Sequence, residues 1–466
     1  MKKRSFLRDT FRISTAEGIF VQIHVLLSGA GSVFLTKLAV LMGAQPIHFS
    51  LMSAITQFSQ IFQPLGYFFT RKLASRKKFV FQTAMLNRSL VIFYGILPLI
   101  FIPEKAIAVF LILFLISTIL GAMAGNAWIA WISDSVPLNI RGRFFSFRSQ
   151  ILMAVGLVVS FIFSYCIDLF SGKRIFFSER IKSLFAADTF NPVNLKFGMA
   201  AVFVFAFLSG IIGLIVMLAQ PERKKEIENE NFAETMKSAL SDRNFRKLLV
   251  YSMWWMFAVG IGSPYWQPFM IQKLKMTLME IQLYGVISTV SSVIAIRFWG
   301  RFIDKFGNKT AMRFAIILGG LNPLVWLFAR ENRIWFLFFE AATSGIMWAG
   351  AGIVATNFVL AIAPPRRSQI YSGIYGAFSG LGMMATMILS GIFIPKRAIP
   401  IAGGILEPEQ VLFLITALAR WSAQIPLSGV KERGRPFKEA FFFLVEFAKV
   451  RVLNFLGSPK RKRSDS

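Results

Sequence analysis

Hydrophobic and polar positions fall in long blocks along this chain rather than in the short periods of a soluble protein. Long apolar runs are separated by short polar stretches that are rich in Lys and Arg. A helix needs about 20 mostly apolar residues to cross a bilayer. The pattern predicts twelve such spans, over residues 17–42, 47–70, 79–102, 106–133, 147–170, 197–219, 247–272, 278–302, 311–329, 334–363, 371–395 and 409–429.

The basic residues predict how these spans are oriented. Alternate loops are rich in Lys and Arg, and the loops between them, such as residues 43–46 and 103–105, are poor in them. Because basic loops stay on the cytoplasmic side, we expect both termini to be cytoplasmic. One outer loop, residues 171–196, departs from the rule with five basic residues. It is longer than its neighbours, and we expect a short surface helix in it.

Composition supports a membrane protein. The 466 residues are 55% hydrophobic and 16% charged, whereas soluble domains carry about 25% charged residues. The net charge of +29 would suggest nucleic acid in a soluble protein. Here the basic residues lie in short loops between the apolar runs. This position favours a role in orienting the spans and in binding anionic lipid, and we expect no nucleic-acid partner. A single cysteine excludes an intramolecular disulfide and a cysteine-rich metal site.

A polar hairpin between the eighth and ninth spans carries the most distinctive motif. It reads Gly300-Arg-Phe-Ile-Asp304-Lys305-Phe-Gly307 and continues to Lys309. Gly300 suits close helix contact, and Gly307 suits a tight turn. Asp304 therefore lies among several bases on the predicted cytoplasmic side.

The hairpin has an imperfect copy earlier in the chain. Gly66 precedes Gly300 by 234 positions, and Arg71 follows it, but Thr70 replaces the acid. A second pair of loops has nearly the same offset, since Asn126 precedes Asn357 by 231 positions. Two unrelated pairs with an offset near 230 predict a chain of two similar halves.

This organisation resembles the major facilitator superfamily. The family hairpin, roughly G-x-x-x-D-[RK]-x-G-x-[RK], is matched at the second hairpin. The loop with Asp134, Arg141 and Arg143 is similar to the family's loop after its fourth helix. The resemblance implies an all-α membrane protein with twelve helices in two pseudo-symmetric six-helix bundles. It also implies gating hairpins, with Asp304 contacting the inner start of the eleventh span, near residues 371–373, in an outward-open state.

The predicted organisation has five parts. They are a cytoplasmic N-terminus over residues 1–13, a bundle over 14–219, a cytoplasmic linker helix over 220–246, a bundle over 247–430 and a basic cytoplasmic tail over 431–466. In the linker, Phe232, Met236 and Leu240 recur every four residues, which predicts an amphipathic helix. The tail is expected to form an amphipathic helix on the membrane surface, with a thirteenth span as the alternative.

The resemblance also implies which helices face the central cavity, namely the first, fourth, seventh and tenth. Their polar and aromatic residues are the cavity-lining candidates: Glu17, Gln22, His24, Asn126, Trp128, Trp254, Trp255, Tyr265, Trp266, Trp348 and Asn357. Glu340, inside the tenth span, is the candidate for proton coupling, because a buried intramembrane carboxyl is costly. A structural hydrogen bond is the alternative for Glu340.

Simpler interpretations compete for several of these residues. Ser14 and Glu17 fit a capping box at a helix start, which is the favoured interpretation of Glu17. His24 and the aromatic residues suit packing better than ligand contact. Gln57 and Gln60 favour hydrogen bonds between helices over a water-lined path. Arg88 and Arg420, inside spans, must pair, snorkel or face water.

The predicted function is secondary transport of a small solute, driven by a proton gradient. The sequence has no nucleotide-binding loop, zinc motif or catalytic triad, so we expect neither enzymatic activity nor a cofactor or metal. We expect a monomer in the cell membrane. A transporter-like sensor or scaffold, suggested by the tail, and a lipid flippase remain as alternatives. No cluster of like charges indicates a strongly charged substrate.

Overall fold

A computed structural model describes residues 2–62, 75–172, 176–186, 189–222, 232–364, 368–401, 404–432 and 437–442. Almost all of these residues are helical. The helices of the first half are α1 (Lys2–Ser28), α2 (Val33–Leu41), α3 (Pro46–Gln60), α4 (Arg76–Ile100), α5 (Pro103–Ser135), α6 (Leu138–Asp168), the short α7 (Ser178–Lys182) and α8 (Leu195–Leu218).

The second half begins with the linker helix α9 (Phe232–Ser241). It continues with α10 (Arg243–Gly262), α11 (Trp266–Gln272), α12 (Leu278–Phe306), α13 (Asn308–Val325), α14 (Trp335–Ile362), α15 (Ser368–Phe393), the antiparallel strands β1 (Ile399–Ile401) and β2 (Gly404–Leu406), α16 (Pro408–Ser422) and α17 (Gln424–Ser428). Single 3-10 turns follow α6, α10 and α13. The structure therefore contains a small β-hairpin that the predicted all-α fold did not include.

Ten helical segments in the described part are long and apolar enough to cross a membrane. The second and seventh predicted spans are not among them. The second continues beyond α3 into residues 63–74, which lie outside the described part. The seventh is divided between α10 and α11 and contains many Trp, Tyr, Ser and Pro residues. The chain is thus an integral multi-pass membrane protein, and the count of twelve stays a prediction.

The two halves have equivalent helix packing. In the first half, α1 packs on α6 and α8, α4 packs on α5 and α8, and α3 packs on α5. In the second half, α10 packs on α15 and α16, α13 packs on α14 and α16, and α12 packs on α14. These five pairs correspond one to one when the halves are exchanged. Between the halves, α3 packs on α15 and α6 packs on α12.

The first helix of each bundle is broken, where the sequence predicted continuous spans. α1 ends at Ser28, Gly31 has a positive φ of 83°, and Ser32 caps α2 by accepting a hydrogen bond from the Phe34 amide. In the second bundle, α10 ends at Gly262 and a 3-10 turn over Ser263–Tyr265 leads into α11. Broken helices leave backbone groups free at membrane depth, where they often line a binding site.

We name the face that carries residues 300–309 the inner face, because it is predicted to be cytoplasmic, and the opposite face the outer face. On the inner face of the first bundle, the Glu222 carboxylate accepts hydrogen bonds from the Arg76 and Lys77 amides at 2.6 and 3.1 Å. In return, Lys77 Nζ donates to the Gln220 carbonyl at 3.1 Å. An acid thus caps the start of α4, and a base caps the end of α8.

The second bundle repeats this reciprocal cap. The Glu432 carboxylate accepts from the Asn308 and Lys309 amides at 3.3 and 2.5 Å. Lys309 Nζ donates to the Ser428 and Val430 carbonyls at 2.7 and 2.8 Å. Lys77 and Lys309 are 232 positions apart, which agrees with the offset of the repeat.

The segments outside the bundles bear on three of the predictions. The loop over residues 171–196 holds the short helix α7, as predicted. The linker forms α9, but its buried side is at Ala239, and Met236 is 38% exposed. In the tail only residues 431–432 and 437–442 are described; residues 437–442 are helical, and Phe437 stacks on Phe314 with ring centroids 4.6 Å apart.

Candidate functional site

A central cavity of about 770 Å³ lies between the two bundles, next to both helix breaks. The breaks contribute residues from each half to its wall: Gly31, Ser32, Ser263 and Pro264. The first bundle supplies a largely apolar side, with Leu26, Leu35, Phe49, Met52 and Phe114. The second bundle supplies most of the polar residues. This size is typical of a pocket for a small molecule.

Only two charged residues, Glu340 and Arg420, are among the described residues that line this cavity. Tyr284 donates its hydroxyl to Glu340 Oε2 at 2.6 Å. Arg420 donates to the Gly319 carbonyl at 3.0 Å and lies 6.0 Å from the ring of Trp348. The two charges are close enough to interact. They have opposite signs, so the lining carries no net charge.

The other polar groups on the wall are neutral. Gln57 and Gln282 are half-buried amides on opposite sides of the cavity. Neither makes a side-chain hydrogen bond to the described part of the chain, and the same holds for the hydroxyls of Ser53, Ser263 and Ser288. Each of these groups can both donate and accept a hydrogen bond. A ligand in the cavity would therefore meet several unoccupied donors and acceptors.

A second cavity of about 750 Å³ lies between the bundles towards the inner face. Gln57, Trp348 and Met383 line both cavities and so mark the passage between them. The inner cavity is also lined by Gln60 and Asn126. The position of the two glutamines supports the water-lined path, which was the less favoured interpretation from the sequence.

On the outer side, hydrogen bonds join the bundles above the central cavity. Tyr265 and Ser50 share a hydrogen bond of 2.6 Å between their hydroxyls. Thr36 donates to the Gln267 amide oxygen at 2.8 Å, and the amide nitrogen of Gln267 donates to the Gly31 carbonyl at 3.0 Å. The broken segments of the first and seventh spans thus bind one another directly.

An acid at the end of α6 provides a further link on the outer side. Buried Asp168 accepts hydrogen bonds from the Leu278 and Met279 amides at 2.8 and 2.9 Å. These are the first amides of α12, which belongs to the other bundle. Thr277 and Glu280 form a capping box there, so Asp168 completes the capping of this helix start. We call this contact the Asp168 latch.

The structure brings together only some of the predicted cavity residues. Glu340, Trp266 and Trp348 line the central cavity, and Asn126, Trp255 and Trp348 line the inner cavity. Tyr265 belongs to the outer contacts. The remaining candidates line neither of these cavities: Glu17, Gln22, His24, Trp128, Trp254 and Asn357.

Glu17 has a different role from the predicted helix cap. Because α1 already begins at Lys2, Ser14 and Glu17 lie inside the helix and cannot cap its start. Glu17 instead forms a buried ion pair of 3.4 Å with Arg148 of α6. The guanidinium of Arg148 lies 4.4 Å from the ring centre of Trp128. These three residues form a sealed cluster within the first bundle.

The other candidates from the first and seventh spans also make contacts within one bundle. His24 Nδ1 lies 2.9 Å from the Ala206 carbonyl of α8. Gln22 packs on Gly156 of α6. Trp254 is exposed and donates to Ser422 at 2.9 Å. Structural packing therefore describes these three residues better than cavity lining.

The predicted gating hairpins are described in part. Gly66, Thr70 and Arg71 lie outside the described residues, and so does the side chain of Asp134. Arg141 donates to the Ser133 and Val136 carbonyls at 2.5 and 3.4 Å, where it caps the end of α5. Arg143 is exposed.

The second hairpin is fully described. Gly307 has φ 88°, which confirms the tight turn. Gly300 has open space where a Cβ would lie, so the expected close helix contact there is wrong. Asp304 and Lys305 are exposed.

The expected contact of Asp304 with residues 371–373 belongs to an outward-open state and stays a prediction. Asp304 lies at the inner end of α12, and α12 faces α6 across the interface, whereas α15 faces α3. In this structure the helix that packs on α12 across the interface is therefore α6, which begins at Leu138. Residues 371–373 of α15 lie across from a different helix.

Several residues of the site were missed by the sequence analysis. Tyr284 and Gln282 were not candidates, because they lie on the eighth span, and Gln267 was not selected among the polar residues of the seventh. Asp168 was hidden at the border of an apolar run. Signals for the breaks were present, since Gly-Ala-Gly-Ser at residues 29–32 and Gly-Ser-Pro at residues 262–264 disfavour a continuous helix.

Comparisons with known proteins agree with this architecture. The sequence profile of the Major Facilitator Superfamily matches residues 248–406. The tetracycline resistance protein, class H, of Pasteurella multocida is 26% identical over 112 residues, and a sugar transporter, ERD6-like 6, of Arabidopsis thaliana is 25% identical over 179 residues. These matches cover 23% and 37% of this chain and span only 27% and 35% of the two relatives.

Solved structures are similar over nearly the whole chain. The nucleoside transporter NupG has a TM-score of 0.61 at 14% identity, over 91% of this chain and 99% of its own. A D-xylose-proton symporter has a TM-score of 0.63 at 15% identity, over 93% and 99%. At such identities the likeness concerns the fold. The molecule therefore has the fold of these two transporters, and the Major Facilitator Superfamily profile matches its second bundle.

Proposed function

We propose that the protein is a secondary transporter that moves a small solute across the cell membrane by alternating access. The observation that carries this proposal is the central cavity, which is shared by two equivalent bundles. Hydrogen bonds between the bundles cover it on the outer side, and a second cavity continues from it towards the inner face. This arrangement corresponds to an inward-facing state.

The helix pair α6 and α12 suggests how the bundles exchange states. The two helices run in opposite directions, and each ends in an acid near the start of the other. Asp168 holds the outer start of α12 in this state. Asp304, at the inner end of α12, is exposed, and we propose the start of α6 as its partner, because α12 packs on α6 across the interface. Rocking would release the first contact and form the second.

Glu340 is the proposed proton carrier. Its carboxyl is buried at the cavity wall, where it interacts with the Tyr284 hydroxyl, with the side chains of Trp326 and Ser344 and with the nearby charge of Arg420. Protonation would remove the attraction between Glu340 and Arg420. Binding of a proton would therefore change the electrostatic environment of the cavity. An acid with access to the transport path is the feature that a proton-coupled carrier requires.

Reconstitution tests both parts of the proposal. Purified protein in liposomes is expected to accumulate solute when a pH gradient is imposed, and to exchange labelled for unlabelled solute without one. Glu340→Gln should abolish the gradient-driven accumulation and retain the exchange. Glu17→Gln is the matched control, because this buried carboxyl lies outside both cavities, and it should retain coupling.

Three outcomes would contradict the proposal. Unimpaired accumulation in Glu340→Gln would remove this residue from the coupling mechanism. Movement of lipid without movement of any soluble solute would favour a flippase. Absence of any flux from protein that binds solute would favour a sensor or scaffold.

A further inference from the structure

We infer that the central cavity binds an uncharged, polyhydroxylated solute of monosaccharide to nucleoside size. This inference rests on the proposed function and deepens it by naming the class of substrate. It is carried by the charge balance of the wall, by its unoccupied neutral groups and by the position of one indole ring.

The charge balance excludes a strongly charged ligand. Glu340 and Arg420 are the only charged residues among the described residues on the wall, and both are engaged by protein groups. Bringing a phosphate, carboxylate or ammonium into this cavity would remove its water without supplying an unshared counter-charge. Such desolvation is costly. A neutral solute avoids this cost.

The unoccupied groups match hydroxyls. The amides of Gln57 and Gln282 and the hydroxyls of Ser53, Ser263 and Ser288 all line the cavity without side-chain hydrogen bonds to the described residues. A sugar hydroxyl both donates and accepts, as these groups do. Several such groups on both bundles can bind several hydroxyls at once. A purely apolar solute would leave them unpaired, which lowers affinity.

The shape of the wall fits a ring. Trp348 is 38% exposed and lines the passage between the two cavities. One side of a sugar or nucleoside ring carries mainly C–H groups, which suit an indole face, while its hydroxyls point outwards. The apolar side of the first bundle, with Phe49 and Phe114, provides a second surface for C–H groups. A volume of about 770 Å³ leaves room for such a solute with water.

Matched sets of ligands test the inference on the purified full-length protein. Each set contains one neutral monosaccharide, polyol or nucleoside together with its anionic and cationic derivatives, such as an acid, a phosphate or an amine on the same skeleton. Binding is followed by the shift in unfolding temperature at millimolar concentrations and then by liposome uptake. At least one neutral parent should stabilise the protein and bind at least tenfold more tightly than its charged derivatives.

Three variants test the contribution of the two glutamines. Gln282→Leu and Gln57→Leu should each weaken binding of the neutral ligand about tenfold, because each removes a hydrogen-bonding group. Gln282→Glu should shift preference towards the cationic derivative, an effect that a purely structural role of Gln282 would not produce. Gln272→Leu is the matched control, since this exposed glutamine lines neither cavity.

The outcomes separate this inference from the proposed function. Tighter binding or transport of a charged derivative would overturn the substrate class and leave the transporter proposal intact. Failure of every neutral parent to stabilise the protein would also overturn the class. Absence of flux and of any change in accessibility of the central cavity, tested with all ligands, would overturn the transporter proposal itself.

Discussion

Each bundle holds a glutamate, an arginine and a tryptophan near one another, but the two sets lie in different surroundings. In the first bundle, Glu17 pairs with Arg148 at 3.4 Å beside Trp128, away from both cavities. In the second, the corresponding set lines the central cavity: Glu340, Arg420 and Trp348. From the sequence alone, an intramembrane charge is a functional candidate in both cases. The comparison shows that access to the cavity distinguishes them.

The arginines buried between helices show the same contrast. Arg88 donates to the Gly210 carbonyl at 2.6 Å and links α4 to α8. Arg420 donates to the Gly319 carbonyl at 3.0 Å and links α16 to α13, the equivalent helix pair. Both satisfy a glycine carbonyl, but only Arg420 also borders the cavity. Equivalent helix pairs are thus joined by an arginine in both halves, although the arginine lies on opposite members of the pair, and cavity access is a property of the second bundle.

The largest effect is expected from breaking the sealed ion pair. Arg148→Met leaves the Glu17 carboxylate buried without its partner, which typically costs about 3–5 kcal/mol. Arg420→Met should cost less, because Glu340 keeps its bond to Tyr284 and borders a cavity that can hold water. Unfolding of both variants in the same detergent, by heat or denaturant, measures the difference.

The double variant Glu17→Gln with Arg148→Met is the control for this comparison. Removing both charges should recover part of the stability lost in Arg148→Met, since the buried side chain at position 17 is then neutral and Arg88 keeps its hydrogen bond to the Gly210 carbonyl. If Arg420→Met proves as destabilising as Arg148→Met, access to the cavity does not distinguish the two sets.

The next largest effect is expected from the Asp168 latch, and it concerns the equilibrium between the inward-facing and outward-facing states. Asp168→Asn removes a charge from two hydrogen bonds that join the bundles, and hydrogen bonds to charged groups contribute about 1.5–3 kcal/mol. The outward-facing population should rise about tenfold or more. This population is measured with Ser263→Cys in a protein that also carries Cys166→Ser. The rate at which a membrane-impermeant thiol reagent labels the new cysteine from the outer side rises with the outward-facing population. Asp304→Asn should change the labelling in the opposite direction.

Glu280→Gln is the matched control for the latch. Glu280 caps the same start of α12, but it bonds to Thr277 within its own bundle. Its loss should weaken the helix start without favouring either state. Equal labelling in Asp168→Asn and Glu280→Gln would show that the Asp168 contact is only a cap and not a latch between bundles.

The sequence predicted the fold to the extent that hydrophobic blocks determine it. The apolar runs located the spans, and the offset between Gly66 and Gly300 indicated the repeat. Breaks at residues 29–32 and 263–265 were missed because the flanking runs are apolar enough to hide them. A hydropathy pattern records the environment of a segment and not the path of its backbone.

The site was predicted less well, for a related reason. Glu340 and Trp348 were identified because a family resemblance named their helix. Glu17 and His24 were chosen on the same basis, but their side chains point to neighbouring helices. Whether a polar residue in a span faces a cavity or another helix depends on helix rotation, which single-sequence patterns do not fix. Gln282 could not be found without the packing of α12.

The smallest effect of the three is expected from the inner caps, where the bundles are most alike. Glu222→Ala and Glu432→Ala each remove a carboxylate from the first amides of a helix. Loss of such a cap costs about 0.5–2 kcal/mol. Because both carboxylates have the same role in equivalent positions, we expect similar losses of stability in the two variants, measured by unfolding in detergent.

Glu331→Ala provides the control for the caps. Glu331 forms an exposed ion pair of 2.9 Å with Lys275 on the outer face, and exposed pairs contribute about 0–1 kcal/mol. It should therefore destabilise less than either cap variant. A loss of stability confined to Glu432→Ala would contradict the equivalence of the two bundles at this face. The same contact would then stabilise only the second bundle, which supplies most of the polar residues of the central cavity.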